Sequence, residues 1–279
     1  MTSRFSVLAV LAVLLLGGCA SNANENTSTA TGGDAEAIEQ VPVSDLYARA
    51  ARLMDSGSYS EAAQAFDGVE QQYPYSQWAT RAQLMSAYAH YLDLNYDSAV
   101  IGLDRFIQLH PGNENIAYAY YLRGLSFYEQ ISDVKRDQQM TELALDGLTE
   151  VVDRFPESRY ARDANLKIDL TLDHLAGKEM EIGRYYLRRE QYQAAVNRFQ
   201  NVIDEYQTTT HVPEALHRLT EAYLAMGIPS EAKKTAAVLG HNYPNSDWYK
   251  DTYALMTGED QYRAGETRGL YDKTLGRIF

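Results

Sequence analysis

Cysteine is almost absent from this 279-residue chain: there is one, Cys19. No intrachain disulfide can form, so the folded part must be held by packing alone. Proline occurs 7 times and tryptophan twice, and the prolines stand apart, punctuating helices instead of forming polyproline runs. The one continuous apolar run near the start, Val7 to Leu16, is shorter than the roughly 20 residues a membrane-spanning helix needs. Basic residues are in deficit, 25 against 38 acidic, for a formal net charge of -13. Such a surface repels phosphate backbones and anionic lipid, which argues against nucleic acid as a partner. Motifs that carry chemistry are missing too: there is no Gly-rich phosphate loop, no Gly-x-Ser-x-Gly and no His-Glu-x-x-His. The histidines, His90, His110, His174, His211, His217 and His241, stand singly, without the i, i+4 spacing that suits a metal. We expect no enzyme, no metal and no cofactor.

What is present begins with an export signal. Arg4 supplies a positive start, the apolar run follows, and Leu16-Gly17-Gly18-Cys19 ends it. That order resembles the lipobox of bacterial lipoproteins, which implies cleavage before Cys19 and covalent diacylglycerol and N-acyl lipid on its thiol and amine. The alternative is an ordinary signal with an incidental cysteine. Ala20 and Ser21 follow where an inner-membrane retention aspartate would stand, so an outer-membrane destination is expected. Residues 21 to 39 are rich in Ser, Thr, Asn, Gly and acids, with Ile38 the one branched apolar residue, and read as a tether. Membrane attachment would then come from the lipid.

Self-similarity gives the fold. Tyr73-Pro74-Tyr75-Ser76, Phe155-Pro156-Glu157-Ser158 and Tyr243-Pro244-Asn245-Ser246 repeat one joint, in which proline ends a helix and serine caps the next. His110-Pro111 is a fourth joint, and Tyr206-Gln207 a fifth that has lost its proline. Between joints lies a second signal, an alanine at Ala62, Ala99, Ala195 and Ala232, followed four residues later by Phe66, Leu103, Phe199 and the small Ala236. Alanine lets two helices approach, and the residue one turn on fills the space beside it. This pattern resembles the tetratricopeptide repeat.

In that register repeats start at Val43, Thr80, Ala117, Ala176 and Pro213, and the matching small residues are Ala50, Ala87, Gly124, Gly183 and Thr220. The spacing is 37 residues except for one of 59. Eight of the extra residues fall between the helices of the third repeat, near Ile131 to Gln139, and the segment Ser132 to Gln139 reads as polar and exposed. The other fourteen lengthen one helix, expected from about Arg159 to Arg189, by close to four turns. The expected architecture is an all-α solenoid of five tetratricopeptide-like hairpins with a capping helix. Its divisions are a removed signal (1–18), a tether (19–40), three N-terminal repeats (41–158), the long helix with two repeats and the cap (159–257), and a polar tail (258–279).

In such arrays the first helix of each hairpin lines the groove. With Tyr present 22 times, the N-terminal groove is expected to carry Tyr47, Tyr88, Tyr91, Tyr118, Tyr121 and Tyr128, beside Met54, Arg81, Leu84 and Leu125. An aromatic groove suits a peptide with apolar side chains, although about half of these tyrosines are expected to pack between helices instead. The C-terminal groove is expected to show Met180, Arg184, Leu187, Arg188, His217 and Glu221.

More specific stretches are Asp104-Arg105-Phe106-Ile107-Gln108-Leu109-His110-Pro111, Asn115 to Tyr118 with Leu122-Arg123-Gly124-Leu125, Arg136-Asp137-Gln138-Gln139, Phe155 to Tyr160, and Val196-Asn197-Arg198. With the lipobox and tether, these resemble the BamD family of lipoproteins of the outer-membrane β-barrel assembly (BAM) machine, over about Val43 to Met256. Two departures are Gln138, where the family usually has proline, and Tyr206-Gln207 in place of Tyr-Pro. The resemblance implies a periplasmic scaffold that binds BamA among other BAM subunits through its C-terminal repeats. It also implies that unfolded β-barrel precursors are received at the N-terminal repeats, and that Arg198 faces BamA. The open alternatives are another repeat lipoprotein scaffold, either a cell-wall hydrolase adaptor or a secretin pilotin, and a lipoprotein enzyme with a site in the groove.

Overall fold

The computed structural model describes residues 41–258, which form eleven α-helices and, among the described residues, no strand. The helices pair in chain order as α1 (Val43–Asp55) with α2 (Tyr59–Gln72), α3 (Gln77–Leu92) with α4 (Tyr96–Leu109), and α5 (Ile116–Tyr128) with α6 (Gln139–Arg154). The longer α7 (Arg159–Arg188) pairs with α8 (Tyr192–Glu205), α9 (Val212–Ala225) with α10 (Pro229–Asn242), and α11 (Asp247–Thr257) closes the array against α9 and α10. Each helix also packs on its successor, and α1, α3, α5, α7 and α9 touch in sequence as one layer. Cys19, the signal, the tether and the tail beyond Gly258 lie outside the described residues. No described helix is long and apolar enough to cross a membrane.

The joints work through their serines. Ser76, Ser158 and Ser246 accept hydrogen bonds at Oγ from the backbone N–H of Ala79 (3.1 Å), Ala161 (3.2 Å) and Tyr249 (3.1 Å). Each satisfies a donor that the first helical turn leaves unpaired. The joint without proline is held from outside: Thr210 donates from its backbone N–H (3.0 Å) and its hydroxyl (2.6 Å) to Asp173 on α7.

The small residues sit where two helices nearly touch. Ala50, Ala87 and Thr220 are fully or almost fully buried, and a Cβ on Gly124 would lie 3.1 Å from Leu148 and 3.2 Å from its backbone nitrogen. Phe66, Leu103, Leu148 and Phe199 are fully buried beside them, each contributing about 1.5–3 kcal/mol by leaving water. The last hairpin differs. Ala236 is only half-buried and Leu239 takes the core position instead, because a methyl group cannot reach across the gap.

The long helix serves two cores. Its N-terminal half places Tyr160, Ala164 and Ile168 against Leu148 and Val151 of α6. Its C-terminal half places Ala176, Met180 and Leu187 with Phe199 of α8 and Leu216 and Leu219 of α9. The inserted segment is exposed over most of its length, as its polarity implies, and is tied down at a few points. Val134 reaches Gly177 of α7, while Lys178 donates to the Arg136 carbonyl at 3.0 Å. Gln138 is buried, its amide donating to the Arg136 carbonyl (3.0 Å) and accepting from Thr141 (3.0 Å). A proline there could make none of these bonds.

Four hairpin turns end the first helix with a residue in the left-handed region, where the next N–H bonds five residues back. Two use glycine, Gly57 and Gly227; the others use Leu94 (φ 59) and Glu190 (φ 61). Side chains there cost about 1 kcal/mol. Leu94→Gly is therefore expected to raise stability by about 0.5–1 kcal/mol, read as a higher urea midpoint, while the same change at helical Leu103 lowers it.

Candidate partner-binding surfaces

The tyrosines on the first helices form a strip rather than isolated rings. Tyr88 of α3 meets Tyr118 of α5 at 6.2 Å between centroids, Tyr118 meets Tyr160 of α7 at 5.4 Å, and Tyr160 stacks on Tyr121 at 5.2 Å. Tyr91 continues it to Tyr96 at 5.7 Å. All of these tyrosines are half-buried. Tyr128 lies beyond them under the Lys167 ammonium, at 5.2 Å. Tyr47 stands apart, packed between Phe66 (5.2 Å) and Trp78 (4.8 Å) in the first core.

Hydroxyl chemistry is fixed by acids at the edge. Tyr91 donates to Glu129 (3.4 Å) and Tyr121 to Asp163. Burial, with Glu129 adding to it, pushes Tyr91 up to about 12, and burial raises Tyr118 and Tyr121 further. The bond from Tyr121 in turn lowers Asp163. The strip therefore offers neutral phenols, aromatic faces and a carboxylate, a surface for apolar side chains with hydrogen-bonding backbone. Tyr160 belongs to this surface although the sequence marked it only as part of a joint.

The C-terminal face is less accessible than the register predicts. Met180 (0% exposed), Leu187 (4%) and His217 (7%) are buried, because α9 packs over α7 and α11 over α9. Leu84 in the N-terminal half is buried too. His217 bonds Thr252 of α11 through Nδ1 at 2.8 Å. Arg184 binds Glu214 at 3.0 Å, and Arg218 binds Glu221 at 3.0 Å while lying over Trp248. Arg198 on α8 pairs with Glu179 of α7 at 3.1 Å and keeps 43% of its side chain exposed. It edges a shallow concavity of about 390 Å³ with Tyr186, Asn197 and Asn201. No group of three or more His, Cys, Asp or Glu that could hold a metal occurs among the described residues.

Stacked helical hairpins carrying a half-buried aromatic strip define a helical-repeat solenoid of the tetratricopeptide type. The family model described as YfiO, outer membrane lipoprotein, matches residues 39–239. The chain is 45% identical over 278 residues to outer membrane protein assembly factor BamD of Caulobacter vibrioides, covering 98% of this chain and 88% of the relative. It is 46% identical over 256 residues to the BamD of Rickettsia prowazekii, covering 92% of this chain and 97% of that one. A solved thermophilic TPR protein from Thermus thermophilus is 18% identical with a TM-score of 0.36, over 77% of this chain and 98% of that chain. The chain belongs to the BamD family of outer membrane lipoproteins.

Proposed function

We propose that this protein is a scaffold of outer-membrane protein assembly, held at the periplasmic face by lipid on Cys19. Its C-terminal repeats bind BamA among other BAM subunits, and its N-terminal tyrosine strip receives unfolded β-barrel precursors. The observation that carries the reading is kinship over nearly the whole chain with assembly factors of that name. The strip supports the precursor arm, since rings on α3, α5 and α7, which touch in one layer, match an extended apolar segment. Arg198 supports the BamA arm, being half exposed with only Glu179 to neutralise it. Kinship favours this reading over a hydrolase adaptor or a secretin pilotin.

One experiment tests it: co-purification from membranes in mild detergent. Wild-type protein should recover BamA, and Arg198→Glu should recover several-fold less while helicity by circular dichroism is unchanged. Tyr118→Ala should leave BamA recovery intact and reduce crosslinking to a barrel precursor. Cys19→Ala should move the protein to the soluble fraction. Absence of BamA from the wild-type eluate would sink the proposal.

A further inference from the structure

The lengthened helix leaves one helix position of the array uncovered. Fourteen residues are close to four turns, so positions fourteen apart on α7 face the same way. Glu179, Gly183 and Tyr186 face α8: Glu179 bonds Arg198, Gly183 lies under Phe199, and Tyr186 lines the concavity beside Ala194. Their counterparts one extension earlier are Asn165, Asp169 and Leu172. Asn165 and Asp169 are exposed and Leu172 is half-buried. None of the three packs on a helix equivalent to α8. In their place runs a groove of about 590 Å³ between α6 and α7, with Leu145, Thr149, Ile168 and Leu172 at its floor and Asp146 and Asp153 at its edge.

We infer that this groove takes a helix from another protein, about fourteen residues long (about 21 Å), amphipathic, with lysine or arginine flanking its apolar stripe. It would lie as α8 lies on the later half of the same helix. Shape follows from the register, and charge selects the partner. Asp146, Asp153 and Asp169 are exposed carboxylates with no hydrogen bond or ion pair inside the described residues. Glu150 is already shared by Arg123 and Arg154. Arg154, the one cation lining the groove, is held by that bond and by the Tyr120 ring. The uncompensated charge facing an incoming helix is therefore negative.

A designed sixteen-residue amphipathic helix with lysines beside a leucine stripe, fluorescently labelled, is titrated with full-length protein. Binding is expected, and Asp146→Lys with Asp153→Lys should weaken it at least about tenfold, while a glutamate-for-lysine version of the probe binds the variant better than wild type. Both substitutions are on exposed positions, and unchanged circular dichroism excludes misfolding. Affinity indifferent to the charge reversal overturns the inference. In cells, a photo-crosslinker at Leu172 should capture a different protein through a helical segment of that composition, above a control at exposed Ile101. A product with the mass of two copies, a crosslink within the chain to residues 1–40 or 259–279, or no excess over the control overturns it. The outcome does not depend on BamA recovery, so its failure is distinguishable from failure of the scaffold reading.

Discussion

Gly183→Ala is expected to destabilise the protein even though it improves helix propensity. Replacing glycine by alanine inside a helix gains about 0.8–1 kcal/mol. Against this, a Cβ on Gly183 would lie 2.8 Å from two ring atoms of Phe199, which is fully buried between α7, α8 and α9. Overpacking of a closed core costs about 1–3 kcal/mol, so the net change is a loss. Phe199→Ala should cost more, about 3–5 kcal/mol, because the ring leaves a cavity that neighbouring helices cannot fill. The decisive measurement is the double mutant. With the ring gone, the methyl of Gly183→Ala has space to occupy, and its propensity gain is no longer opposed. The same substitution should then stabilise by up to about 1 kcal/mol. Urea unfolding of the four proteins reads the cycle. If Gly183→Ala has the same sign in both backgrounds, the ring contact does not govern this position.

That contact shows what the sequence could and could not display. Gly183 was legible as the small residue of its repeat, and Phe199 as the residue one turn past an alanine, because both follow from helix period and hairpin spacing. The long helix was legible for the same reason: a fourteen-residue surplus without glycine or proline at Tyr160 to Leu175 keeps the helical phase. Coverage was not legible. Register gives the direction in which Met180, Leu187 and His217 point, but whether that direction meets solvent depends on how closely α9 and α11 pack over them. Most of the inserted segment is exposed as its composition implies, and one position departs from that. Its composition is polar, yet Gln138 is buried because its amide replaces backbone partners that the short loop lacks. Tyr160 was hidden by its neighbours, since the serine of the same joint already accounted for the motif. Only the stacking of Tyr160 on Tyr121, 39 residues earlier in sequence, reveals the second role.

Acid should loosen the C-terminal cap before it affects the rest. His217 is buried under Trp248, 5.3 Å between ring centroids, and its Nδ1 lies 2.8 Å from the Thr252 hydroxyl. That hydroxyl donates to the Trp248 carbonyl at 2.8 Å, so it must accept from His217, which fixes the neutral imidazole with its proton on Nδ1. Burial and the neighbouring Arg218 push its pKa down to about 3. In the unfolded chain the ordinary value is about 6.5. The folded state thus binds fewer protons than the unfolded state between those values, and its stability falls as pH drops through that window. The stabilisation is complete above about pH 6.5 and declines below it, by about 2 kcal/mol between pH 7 and pH 5. Comparison with a variant that lacks this imidazole separates its contribution from those of the chain's other five histidines. Because the partner groups belong to α11, the loss should appear first as release of that helix. With Trp78→Phe, Trp248 becomes the sole tryptophan, and its fluorescence reports the cap directly. His217→Gln retains a donor for Thr252 and cannot charge, so its loss of stability from pH 7 to pH 5 should be smaller than the wild type's by about 2 kcal/mol. If the wild type shows no greater loss than this variant, protonation of His217 is not what destabilises the cap.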